Sequence, residues 1–142
     1  MLKKISGWGM NTSFKAKILN PNNLTELKNN IKPQCIARGA GRSYGDSSIQ
    51  PKGTISTLNL NKVLKFNKKK GIIEVQSGIT INKLLSNIVK EGWFLPVTAG
   101  SKFITIGGMV AADAHGKNHH KVGSFRNFIL SLGIINEKKK IS

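Results

Sequence analysis

The strongest periodic signal in the chain lies at residues 80–92, "TINKLLSNIVKEG". Ile81, Leu84, Leu85, Ile88 and Val89 recur at three- and four-residue intervals, the spacing of one helix face. Thr80 can cap this helix and Gly92 can end it. A shorter helix is predicted after Pro21-Asn22-Asn23, with Leu24, Leu27 and Ile31 on one face and Pro33 as its stop. Strand patterns fill the space between. "QCIAR" (34–38) is a short apolar run leading into glycines, and "GTISTLNL" (53–60) alternates. "KVLKFNKKKGIIEVQSG" (62–78) reads as a hairpin whose lysine-rich turn closes at Gly71. "WFLPV" (93–97) reads as extended. "TIGGMVAADA" (105–114), small and apolar, predicts a buried helix that something approaches closely. "NFILSLGIIN" (127–136) predicts a strand pair or one long strand. Residues 1–15, with "SGWGMNTS", read as a loop-rich entry segment. Strands and helices alternate irregularly and no repeat is present, which points to an α+β fold rather than a regular parallel sheet.

Charge changes this picture. The 142 residues hold 23 Lys and Arg against 6 Asp and Glu, a net +17, so polyanions must be considered as partners. The charge is mostly lysine, in short clusters such as Lys68-Lys69-Lys70, whereas arginine is limited to Arg38, Arg42 and Arg126. Nucleic-acid readers usually combine arginine forks with interleaved aromatics. Much of the lysine therefore reads as solvated surface, and a basic nucleic-acid-binding module without enzymatic activity stands as the alternative. Cys35 is the only cysteine, which excludes an internal disulfide and a cysteine-rich zinc site. The N-terminus is not a signal peptide and no apolar run reaches the roughly 20 residues of a membrane span, so a cytoplasmic protein is expected.

Three stretches can carry chemistry. "ARGAGRSYGDSS" (37–48) follows a strand and holds Gly39, Gly41 and Gly45. Such glycines allow sharp bends, and bare N–H groups can form a nest for a phosphate. The spacing is neither the dinucleotide fingerprint nor a Walker loop. "TAGSKFITIGGMVAADAHG" (98–116) is the second. Gly100 opens a turn, and Gly107 and Gly108 begin a small-residue helix whose free N–H groups would face a phosphate. Tight helix packing selects the same residues. The third is "HGKNHH". His115 and His119 have metal-ligand spacing for a helix, but Gly116 and Asn118 argue against helix and no carboxylate motif is present, so no metal is expected. A surface loop and a cofactor-site loop both remain open for it. In the second, His115 and Lys117 would stabilise negative charge on a reduced ring.

"SGWGMN", "ARGAGRSYGDSS" and "PVTAGSKFITIGGMVAADAHGKNHHKVGSF" together resemble FAD-linked oxidases of the vanillyl-alcohol-oxidase type, and within them the decaprenylphosphoryl-ribose oxidase family, the flavin subunit of a 2'-epimerase. The resemblance runs through nearly the whole chain, in order, and covers the first part of such an enzyme. It implies a PCMH-type FAD-binding domain over residues 1–142: a small βαβ-like subdomain followed by the start of a second, with the substrate domain absent. It implies that Ala37, Arg38, Gly39, Ala40, Gly41, Arg42, Ser43, Tyr44, Gly45, Asp46 and Ser47 cradle the FAD pyrophosphate. Gly100, Thr105, Ile106, Gly107 and Gly108 would make the second contact, and Ala112, Asp113, Ala114 and His115 would run beside the flavin. Tyr44, His115 and Lys117 would lie near the reactive ring as the catalytic candidates. Ala112 departs from relatives that carry cysteine there. The implied reaction is oxidation of a sugar hydroxyl to a ketone, with hydride passing to non-covalently held FAD and with a decaprenylphosphoryl-ribose-like or aldonolactone substrate. The implied partners are a polyprenyl-phosphate sugar, a partner reductase or a complementary C-terminal half. The resemblance also leaves room for a peripheral position at the inner membrane surface. This portion is expected to be inactive alone.

Overall fold

A computed structural model describes residues 2–136. Its first half is a four-stranded sheet in the order β1-β2-β4-β3, formed by β1 (Leu2–Ser6), β2 (Ser13–Leu19), β3 (Ile36–Arg38) and β4 (Thr54–Ser56). β1 and β2 are an antiparallel pair, while β2 and β3 both run parallel to β4. Helix α1 (Leu24–Asn30) bridges β2 and β3, completing a βαβ-like unit. Asn23 caps α1: its side-chain oxygen accepts from the Glu26 N–H at 2.8 Å, and Glu26 in turn accepts from the Asn23 amide at 3.0 Å.

The entry segment is a hairpin, not a loop. Phe14, Ala16 and Ile18 alternate with Ser13, Lys15 and Lys17, and Ala16 and Ile18 are buried. The period of two is present in the sequence but is masked by the lysines, which fill the solvent face. The expected strand at 53–60 shortens to the three residues of β4, all buried at the sheet centre. Thr54 survives there because its hydroxyl donates to the Gln50 carbonyl at 2.8 Å and accepts from the Gln50 N–H at 2.9 Å.

The second half packs around its own core. The hairpin β5 (Val63–Asn67) and β6 (Ile72–Val75) forms as predicted. Helix α2 (Ile81–Ile88) starts at the Thr80 cap, passes into a 3-10 turn at Val89–Glu91 and ends at Gly92. Ile81, Leu84 and Ile88 join Ile79, Val97, Ile106, Met109 and Phe125 in one buried cluster, against which Val63, Phe66, Ile73 and Val75 of the hairpin pack. Val89, expected on the buried stripe, is 52% exposed, because the tightening into 3-10 geometry rotates it off the apolar face. Helix α3 (Ile106–Ala111) is shorter than predicted and buries Ile106 and Met109. One helical turn, α4 (His119–Val122), and a 3-10 turn (Phe125–Phe128) follow.

The strand expected over 127–136 is not formed. The 3-10 turn occupies its start, Leu130, Leu132 and Ile134 stand exposed, and Ile135 makes a single β-bridge. The segment 93–97, expected to be extended, forms no ladder, bends at Pro96 and Val97, and buries Val97. No helix among the described residues is long and apolar enough to cross a membrane.

The helix α2 stripe generates a paired test. Leu84→Ala, at a fully buried position, should cost ~2–5 kcal/mol. Val89→Ala should stay within ~0.5 kcal/mol. Urea denaturation of the two variants checks the difference.

Candidate functional site

The glycine loop after β3 is built around one arginine. Arg38 Nη1 donates to the Ser48 hydroxyl at 3.1 Å and Nη2 donates to the Ser6 carbonyl at 2.7 Å. Ser48 also shares a 2.9 Å hydrogen bond with the Ser43 hydroxyl. One guanidinium thus ties the end of β1 to both ends of the loop. Burial pushes the Arg38 pKa down, yet an arginine remains charged, and its two oxygen acceptors offset the lost solvation. Arg38 thus holds the loop through two of its guanidinium N–H groups. Arg42 is likewise engaged, with its guanidinium carbon 4.4 Å from the centre of the Trp8 ring. The Trp8 N–H donates to the Ser43 carbonyl at 2.8 Å, fixing the hairpin loop against the glycine loop.

Inside that frame the backbone is bare. The N–H groups of Gly39, Ala40, Gly41, Arg42 and Ser43 donate to no acceptor among the described residues. Gly41 has φ +67, in the left-handed region, so the run curves around its donors as a nest does. A Cβ there would also collide with the Arg38 guanidinium. Consecutive unpaired donors beside a fixed cation suit an anion of pyrophosphate size, so the residues present fit the phosphates of a dinucleotide. Tyr44 is 78% exposed, Gly45, Asp46 and Ser47 are exposed, and the Ser47 hydroxyl donates to the Tyr44 carbonyl at 3.2 Å.

The two glycine-rich stretches meet at one point. Gly39 lies so close to Thr105 that a Cβ on it would overlap the Thr105 hydroxyl. Thr105 is 2% exposed and caps α3, its hydroxyl accepting from the Gly108 N–H at 3.2 Å. The free donors expected at the start of α3 are absent. Ile106 donates to Ile79 and Gly107 to Ser77, each at 2.8 Å, and Met109 donates to the Thr105 carbonyl at 3.0 Å. These glycines allow the helix to lie against residues 77–79, which is the packing alternative for such a run; the start of α3 has no free array of N–H donors, unlike the loop at 39–43. Gly100 is exposed, with open space where a Cβ would stand.

Residues 112–117 form a strained turn. Ala112 is exposed and ends α3, and Asp113 has φ +42. The Asp113 carboxylate is turned toward the chain: Oδ1 accepts from the Arg126 N–H at 3.2 Å and Oδ2 lies 3.3 Å from Arg126 Nε. A hydrogen bond from the Ser124 side chain holds its pKa below the usual carboxylate range; desolvation opposes this, and the Arg126 N–H, the Arg126 charge and His115 lower it further. The Ala114 carbonyl accepts from the Phe125 N–H at 2.9 Å, and His115 bridges Ser124. His115 and Lys117 are exposed. The expectation that Gly116 and Asn118 exclude helix fails in part, because α4 begins directly after Asn118. His115 lies outside that turn, so the two histidines do not share a helix face. Their rings meet edge-on at 4.8 Å, and each Nδ1 approaches the Gly116 carbonyl, at 3.4 Å for His115 and 3.2 Å for His119. Among the described residues no three His, Cys, Asp or Glu side chains cluster for a metal.

The structure therefore joins Gly39 to Thr105, and it joins Asp113 to His115 through the 124–126 strip. It records no contact between Tyr44 and His115 or Lys117. Sequence reasoning assigned no role to Trp8, Ser6, Ser124 or Arg126. Trp8 lies within "SGWGMN", but nothing in the pattern linked it to Arg42.

Comparison with known proteins shows the family. The family model of the FAD binding domain matches residues 26–141. Decaprenylphosphoryl-beta-D-ribose oxidase of Mycolicibacterium smegmatis is 30% identical over 141 residues, covering 94% of this chain and 31% of the oxidase. D-lactate dehydrogenase of Anaerostipes hadrus is 33% identical over 114 residues, 79% of this chain and 24% of the dehydrogenase. Among solved structures, an alkyldihydroxyacetonephosphate synthase superposes with a TM-score of 0.76 at 22% identity, covering 90% of this chain and 26% of the synthase. The chain belongs to the FAD binding domain family, in the α+β PCMH-type fold, and its cofactor class is FAD. It spans about a third or less of the length of these relatives.

Two predictions follow from the site's geometry. Gly39→Ala should cost ~1–3 kcal/mol because its Cβ meets a buried cap, whereas Gly100→Ala should change stability by less than ~0.5 kcal/mol; thermal melts compare them. Because the folded pKa of Asp113 is depressed, its contribution is fully present above the unfolded-chain value, near ~4, and is lost as pH falls through the folded value. Amide exchange at Arg126 and Phe125 should accelerate over that acidic window beyond the intrinsic pH trend, and Asp113→Asn should remove the extra acceleration.

Proposed function

We propose that the 142 residues form one FAD-binding domain of a flavin-dependent oxidoreductase that oxidises a sugar hydroxyl to a ketone. The carrying observation is the run of unpaired N–H groups at Gly39–Ser43, curved by Gly41 and held by Arg38. When bound, FAD supplies the two-electron acceptor for hydride leaving the hydroxyl-bearing carbon. The chain's own residues do the rest. The 39–43 donors bind the pyrophosphate, with Ala37 and residues 44–47 bordering it. Arg38 keeps the loop rigid, so little ordering is needed on binding. Gly100 and Thr105–Gly108 line the next part of the cofactor through backbone and small side chains rather than through free donors.

Ala112–His115 would run beside the ring system, with the turn held by Asp113 and Arg126. Tyr44, His115 and Lys117 are the groups we assign to the reacting end. The Lys117 ammonium and the His115 imidazole would stabilise negative charge that develops there on reduction. The His115 Nε2 makes no hydrogen bond among the described residues and can hold or move a proton. Attachment of the cofactor is non-covalent in this reading. The names of the relatives, an oxidase of a ribose lipid and a lactate dehydrogenase, support an alcohol carbon as the site of oxidation. The ribose relative's match over 94% of the chain favours the sugar.

The test is thermal unfolding of the purified chain with and without FAD, read beside the visible spectrum. A yellow protein whose melting temperature rises with FAD is expected, and Gly41→Ala should weaken FAD binding at least tenfold, or ~1.4 kcal/mol. A colourless chain with no shift, but with RNA affinity falling steeply with salt, would replace this reading with the basic-module alternative.

A further inference from the structure

The turn of the β5–β6 hairpin and the end of α2 are tied together at the surface. Trp93 Nε1 donates to the Lys68 carbonyl at 2.7 Å, and its ring lies so close over Gly71 that a Cβ there would meet it. Lys68 Nζ lies 2.9 Å from the Glu91 carboxylate. At this junction large apolar side chains stand in water: Phe94 is 63% exposed, Val89 52% and Ile72 43%. Lys69, Lys70 and Lys90 are exposed beside them in sequence and make no ion pair among the described residues, and Glu91 is already held by Lys68. A single exposed apolar residue needs no explanation, but three of them among unpaired ammonium groups mark a contact surface.

We propose that this junction is a docking surface for an anionic lipid bilayer, with the lysines on the headgroups and Phe94, Val89 and Ile72 entering the boundary of the acyl chains. Charge complementarity selects the sign of the partner: the chain carries +17, and the cations of this surface are free. The apolar chemistry selects lipid over nucleic acid. Val89 and Ile72 are aliphatic and cannot stack on bases, and Trp93 has one ring face on Gly71 and its N–H engaged. None of the three arginines lies in this stretch, so there is no guanidinium fork for bidentate phosphate contacts. Flexible lysines suit a diffuse headgroup charge, and apolar insertion supplies the second signal that holding at a bilayer requires. The FAD reading assigns no role to any of these residues, so the two stand or fall separately.

The test is co-sedimentation of the purified chain with vesicles of phosphatidylcholine alone or mixed equally with phosphatidylglycerol, read beside tryptophan emission. Binding to the mixed vesicles only is expected, with a blue shift that Trp93→Phe removes and Trp8→Phe keeps. Lys69→Glu with Lys70→Glu should weaken binding at least tenfold, at about fivefold per lysine. Lys69→Gln with Lys70→Gln serves if the reversed charges disturb folding. Lys15→Glu with Lys17→Glu makes the same change of net charge on the exposed face of β2 and should have much the smaller effect. Phe94→Ser should weaken binding several-fold and reduce the blue shift, with the melting temperature unchanged. Equal losses from the two lysine pairs would mean attraction by net charge alone and overturn the proposal. So would no binding, equal binding to phosphatidylcholine alone, or a Phe94→Ser chain that binds as wild type does. Binding of single-stranded RNA that the Lys69 and Lys70 variants abolish, with no vesicle binding, would replace the bilayer with nucleic acid.

Discussion

The architecture depends on how closely Gly39 can approach Thr105. The first half of the chain is a sheet with its own buried strand, and the second is a hairpin and helices around a separate core. Gly39 ends the sheet side and Thr105 opens α3 on the other. Thr105 serves three neighbours at once: it caps α3, bridges Thr80 at the start of α2, and packs on the glycine loop. Any added volume at this junction would separate the loop that can bind phosphate from the turn that carries His115. Packing interiors transmit such shifts because they have little free space to absorb them.

A division of labour follows between cations and backbone. The arginines that sequence reasoning offered to the phosphates are occupied by protein acceptors or by an aromatic face. In the proposed site the anion would meet backbone donors, whose positions are fixed by geometry rather than by long flexible side chains. The same economy appears at Asp113. Its part-exposed carboxylate closes the turn onto Arg126, and those contacts accompany the left-handed backbone at that residue.

The sequence disclosed some of this and hid the rest for identifiable reasons. Helix α2, its Thr80 cap and the lysine-turn hairpin were legible because each is specified locally, by period and by turn residues. The β1–β2 hairpin was missed because Lys15 and Lys17 obscure the alternation of Phe14, Ala16 and Ile18. Over 127–136 the described residues show a 3-10 turn at the start and a single β-bridge at Ile135 in place of a strand: apolar alternation states that a segment is fit to pair, and does not choose its pairing. The glycine loop was legible as an anion-binding candidate, whereas the links from Arg38 to Ser6 and from Asp113 to Arg126 join residues 32 and 13 apart and leave no periodic trace.

The two tryptophans give the molecule an optical property of its own. Trp8 lies under Arg42 beside the glycine loop, and Trp93 donates from Nε1 to the Lys68 carbonyl at 2.7 Å, over the turn of the β5–β6 hairpin. There is thus one indole in each half of the chain. A Trp93→Phe chain would emit only from the phosphate-loop side, and a Trp8→Phe chain only from the hairpin side. Their fluorescence separates the melting of one half from that of the other, a distinction that a single cooperative signal would conceal.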